Sequence, residues 1–203
     1  MHTLFSMQNS GNCYKLRLAM AQLNIPFQIH EVDILKGESR TPEFLALNPN
    51  GKVPALRLDT GQLISESNAI LFFVAEGSDL LPEDRFCKAE MLQWMFFEQY
   101  SHEPYIAVAR FWLKIMKGGR ELKAHLLDDW WERGYQALSV MEKHLETQDF
   151  FAAGRYTIAD VALYAYTHVA EDGEFEFTDF PRIRMWMERV QNQPGHVTMD
   201  WRP

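Results

Sequence analysis

HTLFSMQNSGNCYKLRLAMAQL, residues His2–Leu23, decides how this chain is read. His2–Met7 is a short apolar run that breaks into the polar stretch Gln8–Asn12, the pattern of a strand followed by a turn. From Cys13 to Leu23, the apolar residues Leu16, Ala19, Met20 and Leu23 recur at helical spacing, and Pro26 ends the pattern. A strand that feeds a helix through a short turn gathers unsatisfied N–H groups and the positive helix end at one point. Ser10-Gly11-Asn12-Cys13 occupies that point. The field there favours a thiolate, and in redox proteins it lowers the pKa of a cysteine. In a CxxC frame Ser10 takes the place of the attacking cysteine and Cys13 that of the second. A serine cannot form a disulfide, but its hydroxyl can donate to a thiolate that a ligand brings. Alone, the same serine reads equally as a helix cap, and Cys13 inside the first turn reads as packing.

Phe27–Val32 alternates as a second strand, and Pro42–Leu47 suits a short helix that stops at Asn48-Pro49-Asn50-Gly51. Val53–Leu58 and Gln62–Ile64, around Asp59-Thr60-Gly61, read as a hairpin, and Ser67–Glu76 as a helix. The order β-α-β-α-β-β-α is complete by residue 77, too short for a dinucleotide-binding fold and without GxGxxG. Gly77–Asp84 has linker composition, and from Phe86 onward the patterns are helical, at 86–116, 121–145, 157–170 and 182–192. The expected architecture is an α/β domain over 1–77, a linker over 78–85 and an all-helical domain over 86–203. Within the latter, Thr157-Ile158-Ala159-Asp160 is a capping-box-like start, with Tyr156 and Val161 at the staple positions. That assigns Asp160 to a cap rather than to catalysis.

Two further segments bear on chemistry. In Asn48–Leu56 a loop enters a strand through Val53-Pro54. Proline lacks a ladder donor and belongs at a strand start. A cis Val53–Pro54 bond would turn the Val53 amide and carbonyl outward, where they can pair with an extended peptide; a trans proline would only cap a hairpin. In Ser65–Ile70, Glu66 can accept from an ammonium group, and the Ser67 hydroxyl and amide can hold a carboxylate at a helix N-terminus. Together these match the amino-acid end of a γ-glutamyl group, with a capped helix as the plain alternative.

Composition limits the partners. Among 203 residues, 47% are hydrophobic and the net charge is -8, which argues against nucleic acid. Two cysteines give no disulfide framework. The start lacks a signal-peptide h-region, and no apolar run reaches the ~20 residues of a membrane span. The expectation is a cytoplasmic protein with no membrane partner. Seven histidines without an HExxH pair lead us to expect no metal.

Five segments in order resemble the cytosolic glutathione transferase family of bacterial type: SGNCYKLRLAM (Ser10–Met20), FLALNPNGKVPAL (Phe44–Leu56), ESNAI (Glu66–Ile70), YTIADVAL (Tyr156–Leu163) and WMERVQNQPG (Trp186–Gly195). The resemblance implies a thioredoxin-like N-terminal domain that binds glutathione and a helical C-terminal domain. It implies conjugation of the glutathione thiolate to small hydrophobic electrophiles in a homodimer, with glutathione as co-substrate and no cofactor. By the same resemblance Ser10 stabilises the thiolate, with Asn12 as a second candidate. Val53 pairs with the cysteinyl backbone beside a cis Pro54, Glu66 and Ser67 hold the γ-glutamyl end, and Arg40 and Lys52 approach the glycyl carboxylate. Tyr105, Arg110, Phe111 and Trp112 are candidates for the wall of the electrophile pocket. The chain departs from tyrosine-type members, since Tyr14 already lies in the helix, and it lacks both the cysteine-type nucleophile and the S-S-C signature of the isomerase branch. Two other activities fit the same scaffold: a glutathione-dependent disulfide reductase or peroxidase, and a non-enzymatic binding protein.

Overall fold

A computed structural model describes all residues, 1–203. The chain divides into two units, Met1–Ser78 with Pro194–Pro203, and Asp79–Gln193. The first contains β1 (His2–Ser6), α1 (Gly11–Gln22), β2 (Phe27–Glu31), α2 (Pro42–Leu47), β3 (Ala55–Arg57), β4 (Leu63–Ser65) and α3 (Ser67–Ala75). The sheet order is β2-β1-β3-β4, with β1 and β2 parallel and the other two pairings antiparallel. The element order is the expected one, and the domain is thioredoxin-like, as the resemblance implies. β3 is shorter than the expected Val53–Leu58. Pro54 has no N–H to give to a ladder, so pairing begins at Ala55.

Leu4, Leu56, Leu16, Met20, Ile70 and Leu71 have no exposed surface, so α1 and α3 seal the sheet. Phe5, Val32, Phe44 and Ala55 form a further buried cluster, with the Phe5 and Phe44 rings edge-to-face at 6.1 Å. The apolar stripe of α1 understates its burial. Lys15 and Arg17 are as fully buried as Leu16 and Leu18. Part of the reason is that residues 194–203, which the sequence reading gives to the helical domain, return to the first unit. There the Tyr14 hydroxyl donates to Val197 O at 2.7 Å.

The second unit is helical throughout: α4 (Arg85–Phe97), α5 (Glu103–Arg110), α6 (Gly119–Lys123), α7 (Leu127–His144), α8 (Ile158–Thr167) and α9 (Pro181–Gln191). The single helix expected over 86–116 is broken by π-helical turns at Glu98–His102 and Phe111–Ile115. Pro104 explains the first. It has no N–H, and its ring would press on the carbonyl four residues back, so an unbroken α-ladder cannot pass. The chain instead takes in an extra residue per turn. The expected 121–145 helix likewise divides, with a 3₁₀ turn at Ala124–Leu126 between α6 and α7. No helix is long and apolar enough to cross a membrane.

α8 is the spine of this unit, with all ten residues buried. Its capping box is present: Thr157 N–H donates to Asp160 Oδ2 at 2.9 Å, and the Thr157 side chain caps the first turn. Asp160 does more than cap. It also accepts from Phe151 N–H at 3.1 Å and from the Trp186 indole N–H at 2.9 Å, tying the preceding loop and α9 to α8. The Thr167 hydroxyl donates to Leu163 O, so it must accept from His102 Nε2–H at 2.9 Å. That fixes the His102 tautomer and pins the first π turn to α8.

Candidate functional site

Sheet register brings three chain segments to one place. β3 runs antiparallel to β1 and β4, with Ala55 opposite Phe5 on one side and Ser65 on the other. The exit of β1, the entry of β3 and the exit of β4 therefore lie side by side. These ends lead, respectively, into Met7–Ser10, out of Val53-Pro54, and into Glu66-Ser67.

Ser10 is the N-cap of α1, with extended backbone (φ -84°, ψ 123°), and its Oγ accepts from Cys13 N–H at 3.3 Å. A hydroxyl carries one proton besides its acceptor lone pairs. Capping occupies only an acceptor lone pair, so the hydroxyl proton is left for a sulfur, either the Cys13 thiol beside it or one that a ligand brings. The cap and the thiolate donor, which the sequence offers as alternatives, are compatible in one side chain. Cys13 is fully buried and its Sγ accepts from Met7 N–H at 3.4 Å. Burial pushes its thiol up, against the opposing influence of the Ser10 hydroxyl and Met7 N–H. Cys13 is thus a packed thiol rather than a nucleophile.

The Ser67 hydroxyl donates to Asn12 Oδ1 at 3.1 Å and accepts from Lys15 Nζ at 3.3 Å. Lys15 Nζ also donates to Asn68 Oδ1 at 3.3 Å. The hydroxyl proton expected to meet a carboxylate is therefore given to Asn12, and what Ser67 offers an anion is its backbone N–H in the first turn of α3. Glu66, just ahead, has a left-handed backbone (φ 71°) and makes no side-chain cap. A non-glycine residue in that region costs roughly 1–3 kcal/mol, and such strain concentrates where function over-determines geometry. The Glu66 carboxylate is exposed, accepting from Asn50 Nδ2 at 3.4 Å.

The Val53–Pro54 bond is cis, and the Val53 amide and carbonyl stand outside the β3 ladders. Asn48 Nδ2 donates to Lys52 O at 2.8 Å and shapes the preceding loop. Arg40 Nη1 donates to Asn50 O at 3.1 Å, and its guanidinium fills the space that a side chain at Gly51 (φ 62°) would need. Arg40 thereby braces the loop, while Lys52 is exposed on it.

The four pocket-wall candidates lie on α5 and the second π turn of the helical unit. Tyr105 is half-buried under the Arg133 guanidinium, 5.6 Å from its ring centre, and lines a cleft of about 300 Å³ with Phe97, Tyr100 and Val140. Phe111 and Trp112 pack edge-to-face at 5.5 Å, with Lys123 Nζ 4.8 Å over the Trp112 ring. Arg110 is 5% exposed, and its Nε pairs with Asp172 at 3.1 Å. Its guanidinium is committed to that ion pair inside the helical unit. Sequence reasoning missed Asn50 and Lys15 altogether. A lysine inside an apolar helical stripe was a usable signal, because an ammonium group is buried only where acceptors meet it.

Two family models match the chain: the glutathione S-transferase N-terminal domain over residues 9–76 and the glutathione S-transferase C-terminal domain over residues 91–194. A crystal structure of a possible glutathione S-transferase from Rhodopseudomonas palustris is 57% identical and superposes with a TM-score of 0.98, over 100% of this chain and 91% of that one. Glutathione S-transferase 1 of Schizosaccharomyces pombe is 29% identical, over 95% of this chain and 92% of its own length. The disulfide-bond oxidoreductase YfcG of Escherichia coli is 25% identical, over 91% and 87% respectively. With the fold, this likeness along nearly the whole sequence makes the chain a member of the glutathione S-transferase family.

Proposed function

We propose that the protein binds glutathione at the shared sheet end and transfers its thiolate to small hydrophobic electrophiles. The observation that carries this reading is the Ser10 hydroxyl. It accepts from Cys13 N–H at the start of α1, which leaves its proton to be given to a bound thiolate in place of the neutral Cys13 thiol. A free thiol has a pKa near ~8.5, and lowering it by ~2 units, about 2.7 kcal/mol, makes it mostly thiolate at neutral pH. One hydroxyl donor and the helix end can share that amount. The cysteinyl backbone of the tripeptide pairs with Val53. Its γ-glutamyl ammonium meets Glu66, and the adjacent carboxylate meets the Ser67 amide. Lys52 is the cation assigned to the glycyl carboxylate, because Arg40 is already engaged in bracing Asn50. With an aryl halide the thiolate sulfur attacks the ring carbon. The C–S bond forms, the carbon–halogen bond breaks, and the halide leaves with its electron pair while the thiol proton passes to water.

Retention on immobilised glutathione together with glutathione-dependent conjugation of 1-chloro-2,4-dinitrobenzene is the expected result. Binding without turnover of any electrophile would leave a binding protein, and failure to bind would remove the reading. The likeness to a disulfide-bond oxidoreductase favours a second reading, reduction of a small disulfide by glutathione. Because Cys13 is buried with a raised thiol pKa, glutathione itself would have to attack the disulfide, one glutathione forming the mixed disulfide and a second releasing it as glutathione disulfide. Activity on a hydroxyethyl disulfide with none on the aryl chloride would favour that alternative.

The same reading makes the protein a homodimer. Phe86, Phe96 and Tyr100, on α4 and the π turn that continues it, are 75%, 70% and 84% exposed and supply apolar side chains for such an interface. Sedimentation should return twice the 23.8 kDa subunit mass, and a monomer at micromolar concentration would contradict the dimer.

A further inference from the structure

The loop that carries Ser10 is held from behind by a distant part of the chain. Gln8, two residues before Ser10, is fixed through its backbone and its side chain. Its N–H donates to Glu31 Oε1 at 2.7 Å, its carbonyl accepts from Arg17 Nη2 at 2.8 Å, and its Nε2 donates to Met199 O at 2.7 Å. The same Arg17 Nη2 donates to Met199 O at 2.8 Å, while Nη1 reaches Ser6 Oγ at 3.2 Å. One fully buried guanidinium thus joins the end of β1, the Ser10 loop and residue 199.

Residues 194–203 are themselves held along their length. Gly195 lies against Gln22, Tyr14 donates to Val197 O, the Trp201 and Phe27 rings meet at 6.3 Å, and Arg202 pairs with Glu31 Oε2 at 3.4 Å. Glu31 is the residue whose other oxygen accepts from Gln8 N–H. These ties all end on β2, on α1 or on Gln8, the elements that surround the loop.

The clamp is also costly. Gln8 Oε1 and Arg17 Nε are buried without a partner, and a buried guanidinium usually contributes less stability than apolar packing of the same volume. What directional bonds supply that apolar packing does not is a fixed backbone path. We infer that residues 194–203 are a positioning strap for the thiolate site: through Arg17 and Gln8 they set the backbone of Met7–Ser10 and so the direction in which the Ser10 hydroxyl donates. The inference rests on the proposed role of Ser10. The segments proposed to hold the peptide ends of glutathione, Val53-Pro54 and Glu66-Ser67, make none of these bonds, so releasing the strap should affect the sulfur more than the affinity.

The test uses the full chain with the double substitution Tyr14→Phe and Trp201→Ala, which removes two ties of the strap and leaves Ser10, Gln8 and Arg17 in place. The thiolate absorbance of bound glutathione is titrated with pH alongside kcat and Kd. The expected result is a bound-thiol pKa raised by about one unit and kcat at neutral pH lowered roughly tenfold, with Kd changed less than about threefold. An unchanged thiol titration in the double variant would overturn the strap. If the double variant does not fold, Trp201→Ala alone is read by amide hydrogen exchange. Faster exchange at Met7–Ser10 with β3 and β4 unchanged is expected, and equal protection at Met7–Ser10 would overturn the inference. A wild-type protein that binds glutathione without ionising it would instead remove the proposed role of Ser10, a failure distinct from that of the strap.

Discussion

Replacing Asp160 with alanine is expected to destabilise the helical unit by roughly 3–5 kcal/mol. The residue is fully buried, and Thr157 N–H, Phe151 N–H and the Trp186 indole all donate to its carboxylate. Alanine would leave three buried N–H donors, and the Thr157 hydroxyl beside them, without this acceptor, at about 1–3 kcal/mol per unpaired donor, and would remove one arm of the α8 capping box. Urea unfolding measures the loss directly, and a change below 1 kcal/mol would show that water or repacking replaces the carboxylate.

The same residue predicts a pH dependence with a definite sign. Burial pushes Asp160 up to about 6, outweighing the donors, from an ordinary value of 3.8. Between those values the folded protein keeps a proton that the unfolded chain releases. The stabilisation from this group is therefore fully present below about pH 4 and is lost as pH rises through about 6. The stability difference between wild type and Asp160→Asn should shrink over that interval and be flat on either side. A difference that grows with pH would mean that the donors outweigh burial.

The second large effect is expected at Ser10. If Ser10 holds the sulfur as proposed, replacement by alanine removes a hydrogen bond to a charged group, worth about 1.5–3 kcal/mol, so kcat should fall roughly 10- to 100-fold and the pKa of bound thiol should rise. Affinity for glutathione should change little, because the other contacts remain. Loss of the cap on α1 adds about 1 kcal/mol of destabilisation, which melting experiments separate from the kinetic effect. Unchanged turnover in this variant would transfer the role to Asn12 or to the backbone.

Most of the first unit was legible in the sequence because its punctuation is local. Ser10, Pro26, Asn48–Gly51 and Asp59–Gly61 mark element ends by their own chemistry, and α2 falls where its pattern put it. Asp160 was legible as a cap from its spacing to Thr157, although its bonds to Phe151 and Trp186 were not, since they join residues 9 and 26 positions away. The π turns were hidden because apolar spacing continues through them, and Pro104 was the one local warning. The strap was hidden for a different reason. Its partners lie on α1, on β2 and at Gln8, and no periodicity links residue 17 to residue 199. At the candidate site, Ser10, Val53, Glu66 and Ser67 could be singled out from their places at a helix start or beside the proline that enters a strand. The commitment of the Ser67 hydroxyl to Asn12 needed the sheet and α1 in place.

The central claim, that Ser10 donates to the sulfur of glutathione held across the shared sheet end, is tested most directly by a crystal structure with bound glutathione. The account predicts the sulfur within ~3.0–3.5 Å of Ser10 Oγ, the cysteinyl backbone paired with Val53, and the γ-glutamyl carboxylate at the Ser67 amide. A sulfur hydrogen-bonded to Asn12 and beyond the reach of Ser10 would contradict it.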